Sequence, residues 1–262
     1  MARTPAGAEL TAAHQAAQLA VRAGSLDNLV KLWRIVDPTD LSGTIDTFVR
    51  AAVLLAGQGF DRSAGTASRY YGLFRRVEGI AGAAPIVGLA GRPTELALTA
   101  ELRGAALSGI ITARRAGLTP EGAKTRGLVK VAGALGKLVL NGGRRTLIDV
   151  AARDPQALGY SRVTSGDPCA FCRMLAGRGP VYKTEKSADF HPHDGCACSA
   201  EPLFKGGQPP EQAAEYAREW QAAQAQARSD GTMSSGTSND ALNNYRRYLT
   251  GEGTATPSPV TE

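Results

Sequence analysis

Cysteine is missing from the first 168 residues, and histidine occurs at only three of the 262 positions, His14, His191 and His193. That scarcity leaves few places for a Ser-His-Asp triad or a histidine-rich metal site. No His-Glu-x-x-His, Gly-x-Ser-x-Gly, phosphate-binding glycine loop or Gly-x-Gly-x-x-Gly motif is present either. Aromatics make up 6% of the chain, too few for the cores typical of β-sandwiches and barrels, which lean on aromatic and β-branched residues. Long apolar runs are also lacking. The longest, Ala51 to Ala56, falls far short of the roughly 20 residues a membrane helix needs. Met1 to Ala20 carries one arginine and no continuous apolar stretch, so neither an export signal nor a membrane partner is expected.

What is abundant is small. Thirty-one glycines and a heavy use of alanine within a 43% hydrophobic composition suit closely packed helices. The expected fold is mainly α. A multi-helix body over residues 1–155, with a subdivision near 80–92, precedes a small α+β module over 156–205. Residues 206–262 then form a polar helix, a Gly/Ser linker and a disordered tail.

Local signals place the elements. Ser25 is a candidate cap for a helix through Leu26, Leu29, Val30, Trp33 and Val36. Asp37-Pro38 reads as the next helix start, followed by Leu41, Ile45, Phe48, Ala52 and Leu55 at steps of four and three. Gly57 and Gly59 are expected to end that helix, and Tyr70, Tyr71, Phe74 and Val77 to mark another. Gly79 to Gly91 reads as a loop. Helices follow after Pro93 and after Thr119-Pro120-Glu121, with Gly142-Gly143 expected to interrupt the second. Beyond Tyr160 the pieces Tyr160–Thr164, Pro180–Lys183 and Ser199–Phe204 lean towards strand. Polar helices are expected over Glu211–Arg228 and Asp240–Leu249.

The net charge of +6 is concentrated. Residues 61–150 hold fourteen Lys/Arg against six Asp/Glu, while the flanking segments are close to balance. A solvated helix face explains this, and so does a phosphate-bearing partner such as DNA. No basic run exceeds two residues, which favours the solvated face.

All four cysteines lie in one window: Cys169-x2-Cys172, a gap of 23 residues, then Cys196-x-Cys198. A Cys-x2-Cys turn converges two thiolates on one point, as half of a tetrahedral zinc site requires. The second half offers His193, Cys196 and Cys198, so five candidates compete for four places. His191, followed by Pro192, reads as a surface residue, and His14 as an inert residue of an Ala/Gln-rich helix. Other readings exist. Two disulfides so close in sequence would need a strained double bridge. A redox pair would use Cys169 and Cys172 and leave the second half without a role. Ordinary buried thiols are a fourth reading. A zinc deaminase has Pro-Cys-x-x-Cys, present as Pro168 to Cys172, but also needs His-x-Glu upstream, where only His14-Gln15-Ala16 is found.

The run Cys169-Ala170-Phe171-Cys172, the turn Gly179-Pro180-Val181-Tyr182 and the ending His193-Asp194-Gly195-Cys196-Ala197-Cys198 before Glu201-Pro202-Leu203-Phe204 resemble a phage family. It is that of the minor capsid, or head morphogenesis, proteins of tailed phages related to protein F of phage Mu, in the form found in phages of actinobacteria. The match covers about residues 144–204, and Ser161-Arg162-Val163 and Arg144 to Leu147 agree with it in order. The resemblance implies a low-copy structural protein assembled in the host cytoplasm. It would sit inside the head, against the portal or major capsid protein. Relatives labelled capsid maturation protease make a Cys/His-dependent protease the alternative expectation.

Overall fold

The structure, a computed structural model, describes residues 4–179, 192–207, 211–231 and 238–251. The expected strand Pro180–Lys183, His191, the linker centre and the tail beyond residue 251 lie outside them. Among the described residues are seven α-helices and one two-stranded sheet, so the chain is mainly α.

Helix α1 (Pro5–Leu32) starts where Thr4 accepts a hydrogen bond from the Gly7 amide and Pro5 takes the first turn, where its missing N–H costs nothing. It runs straight through Ser25. That residue is buried inside the helix, its hydroxyl bonded back to the Val21 carbonyl rather than capping. A 3₁₀ turn, Trp33–Ile35, leads on. Helix α2 (Leu41–Val77) begins three residues later than Asp37-Pro38 suggested. Asp37 instead accepts from the Thr39 amide, and Asp40 caps the helix through the Gly43 amide.

Neither Gly57 nor Gly59 ends α2, and Gly142-Gly143 does not interrupt α4 (Pro120–Arg153). Gly59, Gly142 and Gly143 mark helix crossings, while Gly57 faces the side chain of Arg92. A Cβ on Gly59 would lie 2.6 Å from Val139 and 2.9 Å from the Ser25 hydroxyl. One on Gly142 would lie 2.0 Å from the Phe60 carbonyl oxygen. The amide of Gly143 donates to the Ser63 hydroxyl at 2.8 Å, which in turn bonds Gln18. Backbone thus meets backbone where α2 and α4 cross, and α1 joins them through the side chains of Gln18 and Ser25. The sequence signal for such a contact is the same glycine that elsewhere breaks a helix.

Helix α3 (Glu95–Arg115), capped by Thr94, lies along α4 through Leu98, Leu102, Ala106, Ile110 and Ala113. It is long and apolar enough to cross a membrane by length and composition, but here its apolar side faces the core. The loop from Gly79 to Thr94 is extended and is pinned along its length. The Ala90 amide donates to Thr146, and the Arg75 guanidinium to the carbonyls of Ala81, Gly82 and Ala83.

Two apolar clusters divide the interior of the body. One joins Leu29, Trp33, Phe48, Leu102, Ile110 and Leu135. The other joins Tyr70, Tyr71, Phe74, Leu147 and Val150 to Tyr160, Phe204 and the buried cysteines. Strands β1 (Ala157–Val163) and β2 (Ser199–Phe204) pair antiparallel, with Tyr160 opposite Pro202 and Arg162 opposite Ala200. Between them lies α5 (Ala170–Gly177). Helices α6 (Glu211–Ser229) and α7 (Ser238–Thr250) cover α5, where Tyr245, Leu242 and Ala223 meet Ala170, Phe171 and Met174.

Candidate metal centre

Each half of the cysteine cluster is shaped by a local device. Cys169 occupies the N-cap position of α5 and Cys172 its first turn, so both thiols gather at the positive end of a helix, which favours thiolates. The other half is a tight turn in which the Cys196 amide donates to the His193 carbonyl at 3.0 Å. Gly195 holds φ of +80°, a conformation glycine adopts without strain. The turn rests on α4. The Gly195 amide donates to the Gly133 carbonyl, and Lys137 bridges Asp194 at 2.7 Å and Glu101 at 2.8 Å.

Together the halves bring the five expected donors into two adjoining groups that share Cys172. His193 Nε2 lies 3.1 Å from Cys169 Sγ and 3.3 Å from Cys172 Sγ, and the Cys172 and Cys196 sulfurs are 3.8 Å apart. Two triples, Cys169–Cys172–His193 and Cys172–Cys196–Cys198, each have their donor atoms within 4.8 Å of one another. A tetrahedral zinc with bonds of 2.3 Å to sulfur would set sulfurs about 3.8 Å apart, and sulfur and imidazole nitrogen about 3.5 Å apart. The donor types and the spacing both fit a metal ion. Cys172, Cys196 and Cys198 are buried and Cys169 is exposed, and all four are free thiols. His191 lies outside the described residues.

The thiols share few protons unevenly. Hydrogen bonding from Cys172, helped by His193, pulls Cys169 down to about 5. Cys196 is also driven well below the ordinary thiol range, by hydrogen bonds from Cys172 and Cys198 and by the Arg144 charge. Cys172, bonded to its three sulfur neighbours, is raised. Cys198 rises to about 11, where the lowering contact with Cys172 is outweighed by Cys196 and burial. Burial acts against the His193 cation, but the Asp194 carbonyl at 2.8 Å and the neighbouring thiolates raise the imidazole overall. That same Nδ1 contact aims Nε2 at the sulfurs, the role a second-shell partner plays for a metal-bound histidine.

Composition and spacing did not point to the cations beneath the cluster. Arg144, from α4 and 3% exposed, donates to the carbonyls of Cys198 at 3.0 Å and Cys196 at 2.9 Å. Its Nη2 is also 3.5 Å from Cys196 Sγ, and Arg162 of β1 approaches that sulfur at 3.8 Å. Burial pulls the Arg144 guanidinium down to about 10, against the pull of Cys196 and Cys198, so it stays charged at neutral pH. On the outer side Arg173 braces α5, bonding the Pro168 carbonyl at 3.0 Å, Glu219 at 3.3 Å and Asp167 at 3.1 Å. Glu219 also accepts from the Tyr245 hydroxyl at 2.6 Å. The polar C-terminal helices therefore support the cysteine turn.

A helical body carrying a Cys/His centre with a metal-like donor set defines the class. The chain belongs to the VG15 protein family, a family of phage gene products, whose model matches residues 5–223. That match stops inside α6, before α7 begins. No curated protein and no solved structure matches the chain.

Proposed function

We propose that this phage protein is a structural minor capsid protein that acts in head morphogenesis, and that its Cys/His cluster holds one structural zinc. The carrying observation is the convergence of Cys169, Cys172, His193, Cys196 and Cys198 at the joint between the helical body and the β1–β2 ribbon. A metal there cross-links α5, the His193–Cys196 turn and, through Arg144, α4. Its binding energy becomes folding energy for a region with only two short strands of its own. Borderline-soft Zn²⁺ suits thiolate and imidazole donors better than magnesium or calcium does. The resemblance to the Mu protein F type supports a place inside the head, against the portal or major capsid protein. Inside the head, the excess of Lys/Arg in residues 61–150, otherwise a solvated helix face, would meet packaged DNA.

Metal analysis of purified protein tests the zinc: about one ion per chain with reduced thiols is expected, and two native disulfides without metal would refute it. Electron microscopy of intact particles, resolved around the portal, tests the location. A particle lacking this density inside the head would refute the placement.

One observation favours a second reading, a head maturation protease. Exposed Cys169 lies 3.1 Å from an imidazole whose other nitrogen is held by a carbonyl, the arrangement a thiol nucleophile requires. Metal decides between the two, since a thiolate locked on zinc is a poor nucleophile. Metal-loaded protein incubated with unprocessed capsid and scaffold proteins should leave them uncut. Defined cleavage that vanishes in a folded His193→Ala variant would install the protease instead.

A further inference from the structure

We infer that the metal's four ligands are Cys169, Cys172, His193 and Cys196, and that Arg144 and Arg162 select Cys196 over Cys198. The inference rests on the zinc reading above and answers a question that reading leaves open, since five donors compete for four places.

Distance does not choose, because the sulfurs of Cys196 and Cys198 both lie within 4.8 Å of Cys172. Their surroundings do. Cys196 belongs to the turn closed by its own amide on the His193 carbonyl, and its sulfur lies 3.8 Å from that of Cys172, which is itself 3.3 Å from the imidazole. Its sulfur has two guanidinium groups beside it, Arg144 at 3.5 Å and Arg162 at 3.8 Å. Cys198 lies past the turn, next to the first residue of β2. It borders a cavity of about 10 Å³ that it shares with His14, Gln18 and Leu147.

Charge gives the reason. Three thiolates and a neutral imidazole around Zn²⁺ leave one net negative charge, and a buried charge is stable only where an opposite charge compensates it. Arg144 and Arg162 are both buried; their charge reaches Cys198 too, but the sulfur that their guanidinium groups approach, at 3.5 and 3.8 Å, is that of Cys196. Arg144 further fixes the backbone by holding the carbonyls of Cys196 and Cys198 together. It is a positioning residue: it touches the ligand and not the metal. Outer partners of this kind typically change metal affinity 10- to 100-fold when removed.

The test uses the full chain and its Cys196→Ser, Cys198→Ser, Arg144→Met and Arg144→Lys variants. Bound zinc is measured, and cobalt(II) is titrated in to read the number of coordinating thiolates from sulfur-to-metal charge transfer. Cys198→Ala stands in if the serine variant fails to fold. The expected result is one metal per chain and an unchanged cobalt spectrum when Cys198 is replaced. Cys196→Ser should lose one thiolate from the spectrum and bind metal far more weakly. Arg144→Met should weaken zinc binding about 10- to 100-fold, and Arg144→Lys, which keeps the charge, should recover part of that loss. Metal-free wild-type protein would overturn the zinc reading itself. With wild-type protein loaded, either loss of metal on replacing Cys198 or full retention in Cys196→Ser would overturn this inference alone. Equal weakening in Arg144→Met and Arg144→Lys would remove charge as the selecting principle and overturn it too.

Discussion

Arg75 in the last turn of α2 and Asp154, the residue that ends α4, form an ion pair shut away from solvent, with side chains 3% and 0% exposed. The carboxylate also accepts from the Tyr71 hydroxyl at 2.7 Å and the Gln156 amide at 2.9 Å. The guanidinium reaches three carbonyls of the following loop and lies 5.8 Å from the Phe204 ring centre. One pair thus ties together the ends of two long helices, the loop between helical groups and the ribbon beside the cysteine cluster.

Removing one partner strands the other charge in the interior, which typically costs 3–5 kcal/mol. Asp154→Ala should therefore lower stability by about 3–5 kcal/mol in urea unfolding. The double variant Arg75→Met/Asp154→Leu should recover much of this, because no buried charge is left. A loss below about 1 kcal/mol for Asp154→Ala, the size expected of an exposed pair, would show that the pair is hydrated in solution.

The two glycine environments make opposite predictions for one substitution. At Gly142 a Cβ would run into the Phe60 carbonyl oxygen, so Gly142→Ala should destabilise by about 3 kcal/mol or more, at the upper end of overpacking effects. At Gly104, exposed on α3 with nothing within 4 Å, the same change should stabilise by up to about 1 kcal/mol through helix propensity. Matching signs in thermal or urea unfolding would refute the crossing of α2 and α4 at Gly142.

Those glycines also show how far the sequence could be read. Thr119 with Pro120 was legible as a cap, because a cap is made within four residues. The cysteine and histidine spacing was legible for the same reason, since a Cys-x2-Cys turn is local chemistry. Gly59 and Gly142 were read as breaks, because a glycine at a helix crossing differs from a glycine in a turn only by its distant partner. Arg144 and Lys137 were similarly hidden among charged residues of a helix. Their partners are Cys196 and Asp194, more than fifty residues further on. Ser25 and Asp37 matched cap patterns, yet the burial of one and the local turn of the other used those side chains differently.

His14 gives a pH prediction. It is buried, stacked on Tyr70 at 4.2 Å, and desolvation lowers it from 6.5 to about 4. The unfolded chain takes up this proton below about pH 6.5, whereas the folded chain does so only near 4. Stability from this source is therefore complete above pH 6.5 and falls as the pH drops to 4, by about 3 kcal/mol in total. His14→Phe keeps a ring against Tyr70 and removes the proton site. Urea unfolding at pH 7 and 4.5 should show a smaller acid loss in the variant, and acid release of the proposed metal would be common to both proteins. Equal losses would mean that His14 is solvated.

The basic residues offer a weaker handle. Arg92 pairs with Asp61, Arg103 with Asp46 and Lys137 with Glu101 and Asp194, while Arg75 and Arg144 serve the interior. Arg62, Arg69 and Arg76 remain exposed at seven-residue steps along α2, with Arg114, Arg115, Arg126 and Lys130 exposed on α3 and α4. If this surface meets DNA, binding is independent of sequence, and its logarithm falls against log salt with a slope of about −0.9 per neutralised phosphate. Replacing Arg62, Arg69 and Arg76 by Gln should lower that slope by up to about 3. Undetectable binding at low salt would leave these residues as a solvated face.

On the zinc reading, metal removal should separate two levels of stability in one molecule. The cluster around Leu29, Trp33, Phe48, Leu102 and Leu135 is built from α1 to α4 and their connections, so it keeps its burial when the metal goes. The second cluster is different, because Cys172, Cys196 and Cys198 are part of its interior alongside Tyr71, Phe74 and Phe204. Without a metal, the described contacts holding the His193–Cys196 turn to α5 are those between thiols and the imidazole and the Phe171 ring set edge-on against His193, while Lys137 and Arg144 continue to hold it to α4. The region should open locally rather than unfold the chain, since local openings cost less than global unfolding where fewer buried contacts are lost. Hydrogen exchange with and without a strong zinc chelator measures this. Protection should drop across residues 157–175 and 193–204, drop less in the last two turns of α4, and hold in α3 and the first half of α4. Helical circular dichroism should fall only slightly. A uniform loss of protection across α1 to α4 would show that the metal centre and the helical body fold as one unit, and no change anywhere would show that the cluster needs no metal.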